Sequence, residues 1–145
     1  MIDGGVTVTY RDLSSRIDAL AERLAAAGYG VGDRFATVTG NTTDQIVLFF
    51  ACARVGVALV PLSWRLTVAE LSDLVQRAEP VLVAVDDEHM TVAAEALRAC
   101  GLLTPIVYLG TAGLEARVPH RLTKRAVERD VHDDDAMLVI FTSGS

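Results

Sequence analysis

GVGDRFATVTGNTTDQIVLFFACARVGVALVPL, residues 30–62, holds the signals that decide the fold. Gly30-Val-Gly-Asp33 has the composition of a turn, and residues 35–39 follow as a β-prone run. Asn41, Thr42 or Thr43 then offers a side-chain oxygen to the free amides of a helix that runs to about residue 55. The centre of that helix, Ile46, Val47, Leu48, Phe49, Phe50 and Ala51, is apolar all round, so most of its surface is buried. Gly56 stops it. Residues 57–60 form a continuous apolar run with Pro61 at its exit, the pattern of a strand covered on both faces. A strand, a helix and a second strand of these lengths make a crossover unit with parallel strands. Residues 46–62 are also the one candidate membrane span, but Gly56 and Pro61 interrupt them and Arg54 stands at the centre. A charge there costs about 2.5–3.5 kcal/mol on insertion scales. Helix, turn and strand is the better reading.

Working outward, the same alternation continues. Upstream, residues 6–8 are a short β-prone run, and Thr9 with Asp12 gives a helix-start signal. Leu13, Ile17, Leu20, Ala21 and Leu24 follow at helical spacing until Gly28. Gly28-Tyr-Gly-Val-Gly32 looks like part of a dinucleotide fingerprint, but it follows a helix and precedes a strand, the reverse of what pyrophosphate binding requires. It is a helix stop. Downstream, Thr67 and Glu70 form a capping box that opens a helix lined by Leu71, Leu74, Val75 and Ala78 and broken by Pro80. Residues 81–85 predict a strand, 91–100 a helix stopped by Gly101, and 106–109 a strand. A polar stretch over 110–135 has a weak helical pattern at 121–129, and 137–141 predict a last buried strand. The expected class is α/β, with alternating strands and helices around a largely parallel sheet.

Composition narrows the function. The 13 Lys and Arg against 19 Asp and Glu give 13 − 19 = −6, which argues against a basic face for nucleic acid. With 51% hydrophobic and 22% charged residues among 145, the chain is a packed protein, not a disordered one. Its mean hydropathy of +0.36 is high for a complete soluble domain. Cys52 and Cys100 sit among apolar residues and Ala, as free cysteines in a core do, and residues 1–5 lack the basic and apolar regions expected of a signal peptide. A reducing cytoplasm is the expectation.

The strongest chemical signal is Met137-Leu-Val-Ile-Phe-Thr-Ser-Gly-Ser145, a strand opening into Thr142, Ser143, Gly144 and Ser145. Small hydroxyl residues around a glycine present amides and hydroxyls to a phosphate with no bulk in the way. A plain Ser/Gly turn is the bland alternative. Ser143 lacks the Gly-x-Ser-x-Gly elbow of a hydrolase nucleophile, since Phe141 and Thr142 precede it and no His follows. His132 with Asp133, Asp134 and Asp135 is read as a solvated acidic turn, because adjacent loop residues seldom converge on one cation. His89 beside Asp86, Asp87 and Glu88 is read as a loop, and His120 has only Pro119 and Arg121 beside it. Trp64 and Arg65 form either a contact surface or an Arg stacked on Trp for packing.

Three stretches together resemble one family, the adenylate-forming enzymes that include fatty acyl-CoA synthetases and peptide-synthetase adenylation domains. Val6-Thr-Val-Thr-Tyr-Arg-Asp-Leu13 contains a match to the family's early Thr-Tyr-x-(Glu/Asp)-Leu motif; residues 30–71 are similar to its long second block; Phe141-Thr-Ser-Gly-Ser145 matches the opening of its phosphate loop. They occur in the family's order. The resemblance implies ATP, Mg2+ and coenzyme A as cofactors and a carboxylic, fatty-acid class of substrate. Thr142, Ser143, Gly144 and Ser145 match positions that contact ATP. It further implies that residues 1–145 are a partial AMP-binding domain, cut inside the phosphate loop and inactive in isolation. Ser63 stands where Asn is more usual. The alternatives are a non-catalytic module that associates with itself or with the missing remainder of an enzyme through exposed sheet edges, and a free-standing phosphate-binding α/β protein.

Overall fold

The computed structural model describes residues 2–3, 6–110, 118–122 and 130–142. Strands β1 (Ile2–Asp3) and β2 (Val6–Thr7) pair antiparallel, apart from the main sheet. Helix α1 (Tyr10–Ala26) starts where Thr9 predicts: the Thr9 hydroxyl accepts from the Asp12 amide at 3.1 Å and the Asp12 carboxylate accepts from the Thr9 amide at 3.2 Å. The chain turns at Gly28 and enters β3 (Arg34–Val38). Helix α2 (Thr43–Val55) is capped by Thr42, whose hydroxyl accepts from the Gln45 amide at 3.2 Å. It ends at Gly56, which has φ +75°, and a Cβ there would lie 2.5 Å from Val31 Cγ2. Both the backbone conformation and the space require glycine. Strand β4 (Ala58–Pro61), helix α3 (Val68–Ala78), strand β5 (Leu82–Val85), a 3-10 turn at Asp87–His89, helix α4 (Met90–Cys100) and strand β6 (Ile106–Tyr108) follow. The candidate span at 46–62 is therefore helix, turn and strand, and among the described residues no helix is long and apolar enough to cross a membrane.

The four main strands are parallel in the order β4-β3-β5-β6, with Phe35 opposite Leu59 on one side and Leu82 on the other. Side chains alternate across the sheet as a period of two demands. Phe35, Leu59, Leu82, Ala84 and Val107 face one core with α1 and α2, and Ala36, Val38, Val60, Val83 and Val85 face the other with α3 and α4. The α/β expectation with a largely parallel sheet holds.

One predicted strand differs. Residues 137–141 do not form a buried strand: Leu138 makes a single parallel bridge to Leu59, through Leu59 N to Met137 O at 3.0 Å and Val139 N to Leu59 O at 2.8 Å. Met137, Leu138 and Ile140 are exposed. The segment lies outside β4 at the sheet margin, so its apolar side chains lack a covering layer among the described residues. Val139 and Phe141 alone pack inward, against the α3–α4 core. Of the weak helical pattern at 121–129, residues 123–129 lie outside the described residues, and Arg121 serves as a clasp. Its guanidinium donates to the Asp33 carboxylate at 2.8–3.1 Å and its amide to Ala27 O at 3.0 Å.

Candidate functional site at the carboxyl edge of the sheet

Helix α2 follows β3 onto one face of the sheet, whereas α4 follows β5, the neighbour of β3, onto the other. At such a reversal the connections leave in opposite directions and open a crevice beyond the carboxyl ends of the strands, where α/β sheets hold ligands. Three strand exits supply side chains there: Thr39 to Asn41 after β3, Leu62 to Arg65 after β4, and Asp86 to His89 after β5.

Two clefts lie along this edge on either side of Pro61 to Ser63. The first, about 280 Å3, is lined by Thr39, Asn41 and Gln45 on one wall and by Ser63, Trp64 and Arg65 on the other. Thr39 is 7% exposed and its Oγ1 has no hydrogen-bond partner among the described residues. A buried hydroxyl in that state costs free energy unless a ligand or water satisfies it. Arg65 lies 4.9 Å from the Trp64 ring centroid, the stacked arrangement that the sequence offers as the packing alternative. The second cleft, about 400 Å3, is lined by Leu66, Glu70, Asp73, Leu74, Phe141 and Thr142. Its acidic rim is already committed. Glu70 accepts from the Thr67 amide at 2.8 Å, which with the Thr67 hydroxyl holds its carboxyl below the usual range, and Asp73 pairs with Arg77 at 3.0 Å.

Of the four residues assigned to a phosphate loop, Thr142 is exposed and lines the second cleft. Ser143, Gly144 and Ser145 lie outside the described residues. A wider cavity, about 570 Å3, opens instead at the amino ends of β3 and β4, around Val31, Asp33 and Gly56. It is at the wrong edge for a switch-point ligand. His132, Asp133 and Asp134 are exposed in a turn closed by the His132 amide on Asp135 at 2.8 Å, and His120 is exposed too.

The profile of the family described as "AMP-binding enzyme" matches residues 1–145. The chain belongs to this family. Among relatives, a fatty acid–acyl-carrier-protein ligase of Streptomyces coeruleorubidus is 33% identical over 97% of the chain and 27% of its own length. A feruloyl-CoA synthase of an Amycolatopsis species is 35% identical over 98% and 27% respectively. A solved fatty acyl-CoA synthetase of Mycobacterium tuberculosis superposes with a TM-score of 0.75 at 26% identity, over 95% of this chain and 28% of that one. The luciferase-like enzyme of Zophobas morio superposes at 0.82 with 22% identity over 99% of this chain and 35% of its own, a likeness of fold. The chain spans about a quarter to a third of the length of these proteins.

The sequence shows Asp86, His89, Trp64, Thr39 and Asn41 separately and gives no sign that they gather. The available signal is positional: each lies within four residues of the carboxyl end of a strand.

Proposed function

We propose that this chain is the N-terminal part of an ATP-dependent acyl-CoA synthetase, with residues 1–145 a partial AMP-binding domain. The observation that carries the reading is the family match over residues 1–145. In the proposed reaction a carboxylate oxygen attacks the α-phosphorus of ATP, the bond to the bridging oxygen breaks, and pyrophosphate leaves. A thiolate then attacks the acyl carbon and AMP departs. Thr142, with Ser143, Gly144 and Ser145, is assigned to the pyrophosphate end of ATP, where hydroxyls and amides would offset charge on the leaving group. Among the described residues no three His, Cys, Asp or Glu side chains converge, and the Mg2+ of the proposed reaction would come with the phosphates of ATP.

The first cleft suits the nucleotide end of coenzyme A. Arg65 brings positive charge, Trp64 a planar face and the buried Thr39 hydroxyl an unused donor. Fatty or aromatic acids are the proposed acyl class, in line with the names of the relatives. A second acceptor, the thiol of a carrier protein, is favoured by the ligase of Streptomyces coeruleorubidus, which is named for that acceptor. The exposed Met137, Leu138 and Ile140 favour association of this edge with the remainder of the enzyme, or with another copy if the chain is a non-catalytic module.

The test exchanges this chain for the matching segment of a feruloyl-CoA synthase and measures pyrophosphate release with Mg-ATP and a panel of fatty and hydroxycinnamic acids. Turnover by the chimera and none by the chain alone is the expected result. A folded chimera that releases no pyrophosphate with any acid refutes the assignment, and turnover by the chain alone refutes its proposed inactivity. A cytoplasmic location goes with this reading and is checked by fractionation.

A further inference from the structure

The walls of the first cleft rest on residues that do not line it. Asp86, the first residue after β5, accepts from the Gly40 amide at 2.8 Å and from the His89 amide at 3.1 Å, and its other contact is His89 Nδ1. Gly40 sits between Thr39 and Asn41, both in the first wall. The His89 ring lies 5.5 Å from the Trp64 ring, which stands in the second wall. One carboxylate therefore fixes the exit of β3 directly and the exit of β4 through an imidazole. Trp64 is 47% exposed, and the ring contacts it makes among the described residues are with the His89 ring and the Arg65 guanidinium.

We infer that Asp86 and His89 are a positioning pair that sets the width of the Thr39–Trp64 cleft and holds Trp64 in the orientation a ligand meets. The role is neither metal binding nor acid–base catalysis, since both side chains face protein groups and neither lines the cleft. A carboxylate that only capped the short turn at Asp87–His89 would need the His89 amide alone; the bond to Gly40, 46 residues away, spans two strands and gives the turn a load outside itself. The inference rests on the first cleft being the acceptor's site, as proposed above.

Trp64 is the single tryptophan of the chain, so its fluorescence reads the cleft directly. The experiment measures acrylamide quenching of Trp64, and the dissociation constant of coenzyme A, in the wild-type chain and in Asp86→Ala, His89→Ala, His89→Gln and the Asp86→Ala/His89→Ala double variant, with circular dichroism confirming the fold. The expected result is a rise of about twofold in quenching for each alanine variant. The double variant adds nothing, because the two residues act in series. Coenzyme A binding weakens about tenfold in all of them. His89→Gln keeps a donor for Asp86 but loses the ring, so it frees Trp64 in a chain whose β3 exit is still tied, and it serves if Asp86→Ala unfolds. Unchanged quenching in Asp86→Ala and His89→Gln overturns the pair. Raised quenching with unaltered coenzyme A affinity overturns its role in positioning. A wild-type chain that does not bind coenzyme A overturns the acceptor assignment instead, and the quenching series still decides whether the pair holds Trp64.

Discussion

Asp33 is the one charged residue that is buried among the described residues, and the Arg121 guanidinium meets it with parallel bonds from Nε to Oδ2 and from Nη2 to Oδ1. Removing one partner of a buried pair strands the other charge, which costs about 3–5 kcal/mol. Arg121→Ala is expected to lower the unfolding free energy, read from a urea titration, by that amount, whereas Asp33→Asn with Arg121→Leu should lose much less. Equal losses would mean that Arg121 acts by packing alone. The cysteines divide in the same way. Burial pushes the Cys52 thiol far above its ordinary range and Cys100 is partly open, so a disulfide reagent should label Cys100 in the native protein and Cys52 only on unfolding. Simultaneous labelling of both under native conditions would contradict the described core. Neither Arg121 nor Asp33 stands out in the sequence, because the pair joins positions 88 residues apart and no local pattern marks it.

Elements were legible wherever a local chemical signal starts or stops them. Thr9 with Asp12, Thr67 with Glu70, and Gly56 and Gly101 each mark a helix end through a hydrogen bond or a left-handed backbone visible in composition alone. Residues 137–141 failed for a physical reason: an apolar run reports a preference for burial, and whether a layer covers it depends on chain elsewhere. The two capping boxes carry a pH dependence. Hydrogen bonds from Thr9 and Thr67 hold the Asp12 and Glu70 carboxyls below their ordinary values. A depressed folded value adds stability above the unfolded values of about 3.9 and 4.3, and that stability is lost as pH falls through the folded ones. Urea midpoints should be flat above about pH 5 and decline below about pH 4, and the decline should be shallower in the Asp12→Asn/Glu70→Gln double variant, which has neither carboxyl to protonate. An identical acid limb in the two proteins would remove the boxes as its cause.

At the scale of the whole molecule, the order β4-β3-β5-β6 is what creates the crevice, and it is the feature the sequence reveals least. Alternation of strands and helices says that the sheet is parallel; it does not say that β5 passes β4 to pair with β3, a choice settled by which faces α2 and α3 must cover. The family resemblance, whose profile spans residues 1 to 145, points to the family and carries no strand order of its own. The order has a mechanical consequence. Strand β3 is bonded on both sides along Arg34 to Val38 and covered on both faces, while β6 has one partner and residues 137–139 hang on β4 by two bonds around Leu59. Opening free energies follow this nesting, because freeing an edge exposes one ladder and freeing β3 dismantles both cores. Amide hydrogen exchange should therefore be slowest in β3, with β4 and β5 next, and faster by about 100-fold or more at β6 and at Val139. Thr39 and Gly40 inherit the rigidity of β3, whereas Trp64 takes its order from His89 and Asp86. His89→Ala should accordingly raise exchange at residues 63–66 without changing that of β3. Acceleration of β3 itself in that variant would show that the crevice and the sheet open as one unit, contrary to the nested order.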